Sequence, residues 1–253
     1  MSSFGDTQVS SGRTLLFLAT IVAGLVCGSL GVWQLGRLME RRERNRLALA
    51  QRDLERVDLT LGSLEGPVGY RPVRIQGVFD FDREFVIRGR LLRGTPGIQV
   101  VTPMRIAGQD TAVLVHRGFV PTPDAGRLAS ETRYREPDSG GFEGVALATP
   151  DEGDGAPLKT SLGETWHRLD LTAMRSRLPY PVASYYVIVA ADSTRTSDHT
   201  IKGRVLPIRI EPPALDWGPH LSYAIQWFLI GGAALGFGFV FVRRRTAPSG
   251  VPD

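Results

Sequence analysis

The chain has 253 residues, enough for one or two domains, and its 42% apolar content suits a globular protein only if the apolar residues are evenly spread, which they are not. Its formal charge of +4 comes from 30 basic and 26 acidic residues mixed along the chain, which gives no ground for a nucleic-acid partner. The single cysteine, Cys27, excludes a disulfide within the chain and leaves the redox compartment unread.

Residues 1–13 are polar and read as a flexible N-terminus. From Thr14 to Gly36 run 23 residues without a charge, TLLFLATIVAGLVCGSLGVWQLG. At about 1.5 Å per residue such a helix crosses a hydrocarbon core about 30 Å thick, so 14–36 is the first expected transmembrane helix. The run is too long, and its exit at Trp33, Gln34 and Arg37 too polar, for a cleaved signal peptide. The bulky Val26 before Cys27 argues against a lipid anchor there. Residues 37–65 follow as a juxtamembrane helical connection, rich in helix formers but with only an irregular stripe of Leu38, Leu47, Leu49 and Leu54. Its arginine cluster, Arg37 to Arg46, has lipid headgroups as its nearest partner.

The middle, 66–212, reads as one β-rich domain. PVRIQGVF at 72–79 alternates Val73, Ile75 and Gly77 against Arg74, Gln76 and Val78, and EFVIRGR at 84–90 follows a four-residue turn, so the two should form a hairpin. Further strands are expected at 98–106, 111–120, 141–149, 183–190 and 205–210, with AGQD joining the third and fourth segments as antiparallel neighbours. A small helix at 171–178, capped by Asp170 or Thr172 and stopped by Pro179, should pack on the sheet through Leu171, Met174 and Leu178. Residues 122–141 and 149–163, rich in Gly, Pro, Asp and Ser, read as loops. After a connection at 213–220, a second uncharged run at 221–242 forms the second transmembrane helix, and 243–253 is a tail. The fold class expected is therefore two transmembrane α-helices bracketing a compact antiparallel β-rich (α+β) domain, which in one reading is barrel-like.

Signs of catalysis are weak. The four histidines stand singly, without metal-ligand spacing, and Asp80, Asp82 and Glu84 read as a solvated turn rather than a catalytic carboxylate pair. GDGAP at 153–157 lacks the Lys and Ser/Thr of a phosphate loop. The membrane segments carry more. Gly24 with Gly28, and Gly232 with Gly236, are small-xxx-small pairs at which another helix could approach. At the entry to the second helix, HLSYAIQW places His220, Tyr223, Ala224 and Trp227 on one face. Two readings stand: an aromatic belt at the headgroups, or an imidazole above an aromatic wall that could take a planar cofactor.

These segments resemble the SURF1/Shy1 family of cytochrome c oxidase assembly proteins. The matching motifs are LGVWQLGRL at 30–38, YRPVRIQGVFD at 70–80, VLVHRGFVP at 113–121 and HLSYAIQW at 220–227. The resemblance extends from about residue 14 to 242, and four separated motifs in family order make it specific. It implies a non-enzymatic, chaperone-like assembly factor for haem-copper oxidases that binds and presents haem a. The alternatives are a haem-free membrane scaffold for oxidase subunit assembly and, more distantly, a membrane-anchored hydrolase. Implied partners are oxidase subunit I, the haem a biosynthesis machinery and the bilayer.

The resemblance assigns His220 as the haem-iron ligand; Tyr223 and Trp227, on the same helical face, would then pack beside the macrocycle, and Arg37, at the exit of the first helix, would neutralise a propionate where the two helix ends meet. Trp33, Gln34, Arg117 and Gly118 match positions with a partner or structural role. His116 stands where the family usually has asparagine, Phe119 where it has tryptophan, and Arg41 near where lysine is common. The implied location is a bacterial cell membrane, multi-pass, with the domain at 66–212 extracytoplasmic and the tail cytoplasmic, or the mitochondrial inner membrane in a eukaryote. Local charge points the other way, since Arg13 alone precedes the first helix while Arg37, Arg41, Arg42, Arg44, Arg46 and Arg52 follow it.

Overall fold

The computed structural model describes residues 4–64, 66, 68–122, 138–148, 157–160, 163–190 and 206–243. Its elements in chain order are α1 (Phe4–Arg52), β1 (Val57–Asp58), β2 (Gly69–Phe79), a 3-10 turn (Phe81–Arg83), β3 (Phe85–Leu92), β4 (Thr95–Ile106), β5 (Ala112–Pro121), β6 (Ser139–Leu147), β7 (Leu158–Thr160), β8 (Gly163–Thr165), α2 (Leu171–Arg175), β9 (Val182–Val189) and α3 (His220–Arg243). They fall into two compact units, one of residues 1–46 and 215–253, the other of residues 47–214.

The first unit is built on α1 and α3. Helix α1 starts at Phe4 rather than near Thr14 and runs without a break through the apolar segment into the arginine cluster. Once an apolar helix is formed, each added residue gains a backbone hydrogen bond for one pair of fixed dihedrals, so the helix-favouring residues after Gly36 extend it. Both helices keep large apolar side chains outward: Leu15 is 70% exposed, Leu25 67%, Leu229 69% and Phe237 62%. A soluble protein does not leave such continuous apolar surface in water. Two helices of membrane-spanning length with apolar outer faces support a multi-pass membrane location.

The second unit is a mixed α+β domain around one large sheet, with strand order β1-β2-β6-β9-β5-β4-β3 and a further pairing of β2 with β4. Strand β2 alternates as expected, burying Val73, Ile75, Gly77 and Phe79 and exposing Arg74, Gln76 and Val78. AGQD does join antiparallel neighbours, β4 and β5. The sheet is nevertheless not purely antiparallel, since β1 runs parallel to β2 and β9 parallel to β5. Short turns set the direction only of the strands they join. Strand β9 arrives after α2 and inserts between β5 and β6, so no hairpin dictates its sense.

The expected hairpin of β2 with β3 does not form. Instead β3 folds back on β4 through a two-residue turn, Arg93-Gly94, with φ of 50° and 79°. Two successive positive φ values match the twist of the flanking strands, which favours this tight turn over the longer one at 80–83. Strand β4 is long enough to take β3 along 95–101 and β2 along 104–106 on one edge.

Of the strand expected at 205–210, the described residues form a single bridge, in which Ile208 and Phe119 exchange both backbone hydrogen bonds. Val205 and Thr149, the far end of the expected 141–149 strand, lie outside the described residues. So does most of the two expected loops, although part of the second pairs as β7 and β8. Helix α2 is shorter than expected, with the Asp170 carboxylate accepting from the Ala173 N–H as its cap. It packs as anticipated, Leu171 and Met174 buried and Leu178 partly so, against Ile87, Leu114 and Trp166.

Candidate functional site

Burial along α1 follows a strict 4-3 rhythm. Thr20, Gly24, Cys27, Gly31, Gln34, Leu38, Arg41 and Asn45 are each buried or half-buried. In α3 the same rhythm picks out His220, Ala224, Trp227, Gly231, Ala234, Gly238 and Phe241, and the other described side chains between them are exposed. Residues spaced by 3 and 4 form one stripe on a helix, so the two series are the facing seams of an antiparallel pair. Side chains added at Gly24, Gly31 and Gly238 would run into Leu235, Phe228 and Thr20.

The glycines in contact differ from the pairs singled out by motif. Gly24 is at the seam, but Gly28, Gly232 and Gly236 have no neighbour within 4 Å of where a Cβ would stand, whereas Gly31, Gly231 and Gly238 do. A small-xxx-small motif repeats every four residues, while a seam in which helices stay in contact repeats every seven, so only one glycine of a pair need lie on it. At Gly231 the facing backbone itself is near: a Cβ there would sit 3.0 Å from Cys27 Cβ and 3.4 Å from the Gly24 carbonyl oxygen. A disulfide needs Cβ atoms about 3.5–4.5 Å apart. Gly231→Cys is therefore expected to cross-link to Cys27 within one chain on mild oxidation after a small shift, and Gly232→Cys is not. Equal cross-linking of both variants, read by gel mobility before and after reduction, would disprove the seam.

Above the glycines the seam turns polar. His220 Nδ1 lies 2.9 Å from Gln34 Oε1. An amide oxygen only accepts, so Nδ1 is the donor in this bond, and in the neutral ring Nε2 is then the nitrogen with the free lone pair. One turn further, Asp216 is gripped from α1: its carbonyl oxygen accepts from Arg41 Nε at 2.9 Å and Asn45 Nδ2 at 2.7 Å, and its carboxylate from Arg41 Nη2 at 2.7 Å. The carboxylate also accepts from the Gly218 N–H, and the Arg42 guanidinium lies 4.8 Å from the Trp217 ring centre. These contacts fix the DWGPH turn that aims His220.

The structure thus brings Gln34 and His220 together, but it arranges the other expected residues differently. Ala224 is 1% exposed and lies on the seam that faces α1, so the neighbouring helix covers that part of the shared face. Trp227 is half-buried on the same seam, while Tyr223 and Trp33 are exposed at 48% and 57%. Arg37 pairs with Glu40 at 2.9 Å. The grip of Arg41 and Asn45 on Asp216 has no counterpart among the sequence expectations. Its one signal in the sequence is the 34, 38, 41, 45 spacing, which a search for hydrophobic stripes passes over because the seam is polar there.

The matching Arg117-Gly118 pair lies in the sheet domain, packed inside it. Arg117 is fully buried, bonded to Glu84 at 2.7 Å and Thr102 Oγ1 at 3.3 Å, with the Phe81 and Phe79 rings 4.8 and 5.4 Å from its guanidinium. Gly118, at φ 139°, lets the Ile208 carbonyl take the space that a Cβ would fill. Asp80 and Glu84, expected to be solvated, are each only 12% exposed in their side chains and paired with Arg83 and Arg117. A turn sequence signals polarity but not what packs over it. Among the described residues no group of three or more His, Cys, Asp or Glu could hold a metal ion.

Comparison with known sequences agrees with the motifs. A sequence model of the SURF1 family matches residues 21–232. A SURF1-like protein of Rickettsia felis is 26% identical over 213 residues, covering 83% of this chain and 89% of its own. A SURF1-like protein of Monosiga brevicollis is 26% identical over 250 residues, covering 91% and 88%. Surfeit locus protein 1 of Xenopus tropicalis is 26% identical over 245 residues, covering 90% and 76%.

Proposed function

Since the chain belongs to the SURF1 family, whose members are non-catalytic factors in cytochrome oxidase assembly, we propose that it holds haem a at His220 and presents it to the maturing oxidase. The observation that carries this reading is the Gln34–His220 hydrogen bond. A histidine that ligates a metal through one nitrogen usually donates its other ring N–H to an oxygen, which fixes the tautomer and raises the basicity of the ligating nitrogen. Gln34 Oε1 is such an acceptor, and Nε2 is left to meet iron. Exposed Tyr223 offers an aromatic edge beside the ring, with Trp227 behind it, and Arg37 can exchange Glu40 for a propionate. When bound, haem a would supply the redox-active iron that the oxidase requires, and this chain would supply position and the His220 ring nitrogen.

A haem-free scaffold is the second reading, favoured by the burial of Ala224, which makes the same face a helix–helix contact. The two readings diverge at His220→Ala. The haem reading expects the membrane-embedded variant, at normal abundance, to lose most of its haem or change its reduced-minus-oxidised spectrum when purified from cells making haem a. An unaltered haem-to-protein ratio and spectrum would retire it and leave the scaffold standing.

We place the domain outside the cytoplasm, because a segment this long is translocated largely regardless of flanking charge and the family resemblance puts it there. Oxidase subunit I and the haem a biosynthesis machinery are the proposed partners. The return pairing of β2 with β4 supports a barrel-like reading of the sheet.

A further inference from the structure

Strand β2 is irregular where it begins. Its register with β6 slips between Gly69 and Arg71, and Tyr70 takes φ 59°, a left-handed conformation uncommon for an aromatic residue. The conformation is held from two sides: the Tyr70 hydroxyl donates to the Pro213 carbonyl at 2.6 Å, and the Gly69 N–H donates to Gln51 Oε1 at 2.6 Å. Bulges of this kind re-aim the side chain that follows.

The side chain that follows is Arg71. Its Nη1 is buried and has no hydrogen-bond partner, and no ion pair to Arg71 occurs among the described residues. Guanidinium does not lose its charge in proteins, so Arg71 brings to the cleft it lines a fixed positive charge that the fold does not neutralise. Arg71 lines a cleft of about 520 Å³ within the domain. Leu54, Val57, Leu64 and Val68 line the same cleft, with exposed Ser63 among them. Val57, Leu64 and Val68 rest on the domain core yet stay only partly buried, so the cleft has an apolar side that the fold itself leaves uncovered.

We propose that this cleft binds an amphipathic monoanion, a carboxylate carried on an aliphatic chain, with Arg71 as its head-group ligand. One guanidinium calls for one negative charge, and its planar fork matches a carboxylate. The apolar wall calls for hydrocarbon beside that charge, and the volume lies within the usual range for small-molecule sites. The proposal is independent of the haem reading, because its residues belong wholly to the sheet domain.

The full chain in phosphatidylcholine nanodiscs is titrated with octanoate, octanol, acetate and inorganic phosphate, with heats from empty discs subtracted. Octanoate is expected to saturate one site per chain at least ten-fold more tightly than any of the others. Arg71→Gln should reduce octanoate to the level of octanol. Ser63→Trp, which fills the cleft from an exposed position, should block octanoate without changing the melting temperature. Equal octanoate binding by the parent chain and Arg71→Gln would overturn the site, and so would acetate or phosphate binding as tightly as octanoate. Should Arg71→Gln not fold, retained octanoate binding by Ser63→Trp overturns it equally.

Discussion

Arg117→Ala is expected to destabilise the sheet domain by about 3–5 kcal/mol, the usual cost of breaking a buried ion pair from one side. The guanidinium is fully buried and holds the Glu84 carboxylate, itself only 12% exposed, while packing on Phe79 and Phe81. Removing it leaves the Glu84 carboxylate without its counter-charge, held only by the Thr102 hydroxyl, and a cavity beside two rings. In a domain of this size the loss corresponds to a fall of roughly 8–16 °C in melting temperature. Arg117→Met combined with Glu84→Met should cost much less than Arg117→Met alone, since the second change removes the stranded charge. Circular dichroism melts of the three variants check this. A drop of under about 1 kcal/mol for Arg117→Ala would mean that the pair is not buried in solution.

Lowering the pH from about 6.5 to about 4 should cost the parent chain about 3 kcal/mol more stability than it costs His116→Asn. His116 is 4% exposed and its Nδ1 has no partner. Burial, aided by the positive charge of Arg90, holds its pKa down at about 4 against the local effect of a backbone hydrogen bond. The folded pKa lies below the unfolded one, so the unfolded chain takes up a proton first. Above about 6.5 both states hold a neutral ring and His116 adds no pH dependence. Between about 6.5 and about 4 only the unfolded state gains the proton, and stability falls. Below about 4 both are protonated and the dependence levels off. Carboxylates titrate in the same window, so the parent-minus-variant difference is the quantity to measure. Asparagine, usual in the family at this position, carries no titrating group; parallel curves for the two chains across this window would show that His116 is not buried neutral.

How far each part is legible in the sequence depends on how local its cause is. Charge-free runs at 14–36 and 221–242 determine two spanning helices by themselves, because the bilayer imposes a length and a composition that no neighbour alters. Alternation in β2 and the Asp170 cap are readable for the same reason, each being settled within a few residues. His220 and Gln34 can each be singled out from their motifs.

Tertiary structure decided the rest. The partner of β3 depended on competition between turns at 80–83 and 93–94, and the sense of β9 on where a non-local strand could enter. Arg117 became a buried cation because of the rings and the carboxylate folded over it. At the seam, Asp216 is held from α1 by Arg41 and Asn45, residues that in sequence look like any charged juxtamembrane helix. A polar contact between segments so far apart along the chain leaves no periodicity in hydrophobicity, and only the folded helix pair shows which arginine of the cluster it uses.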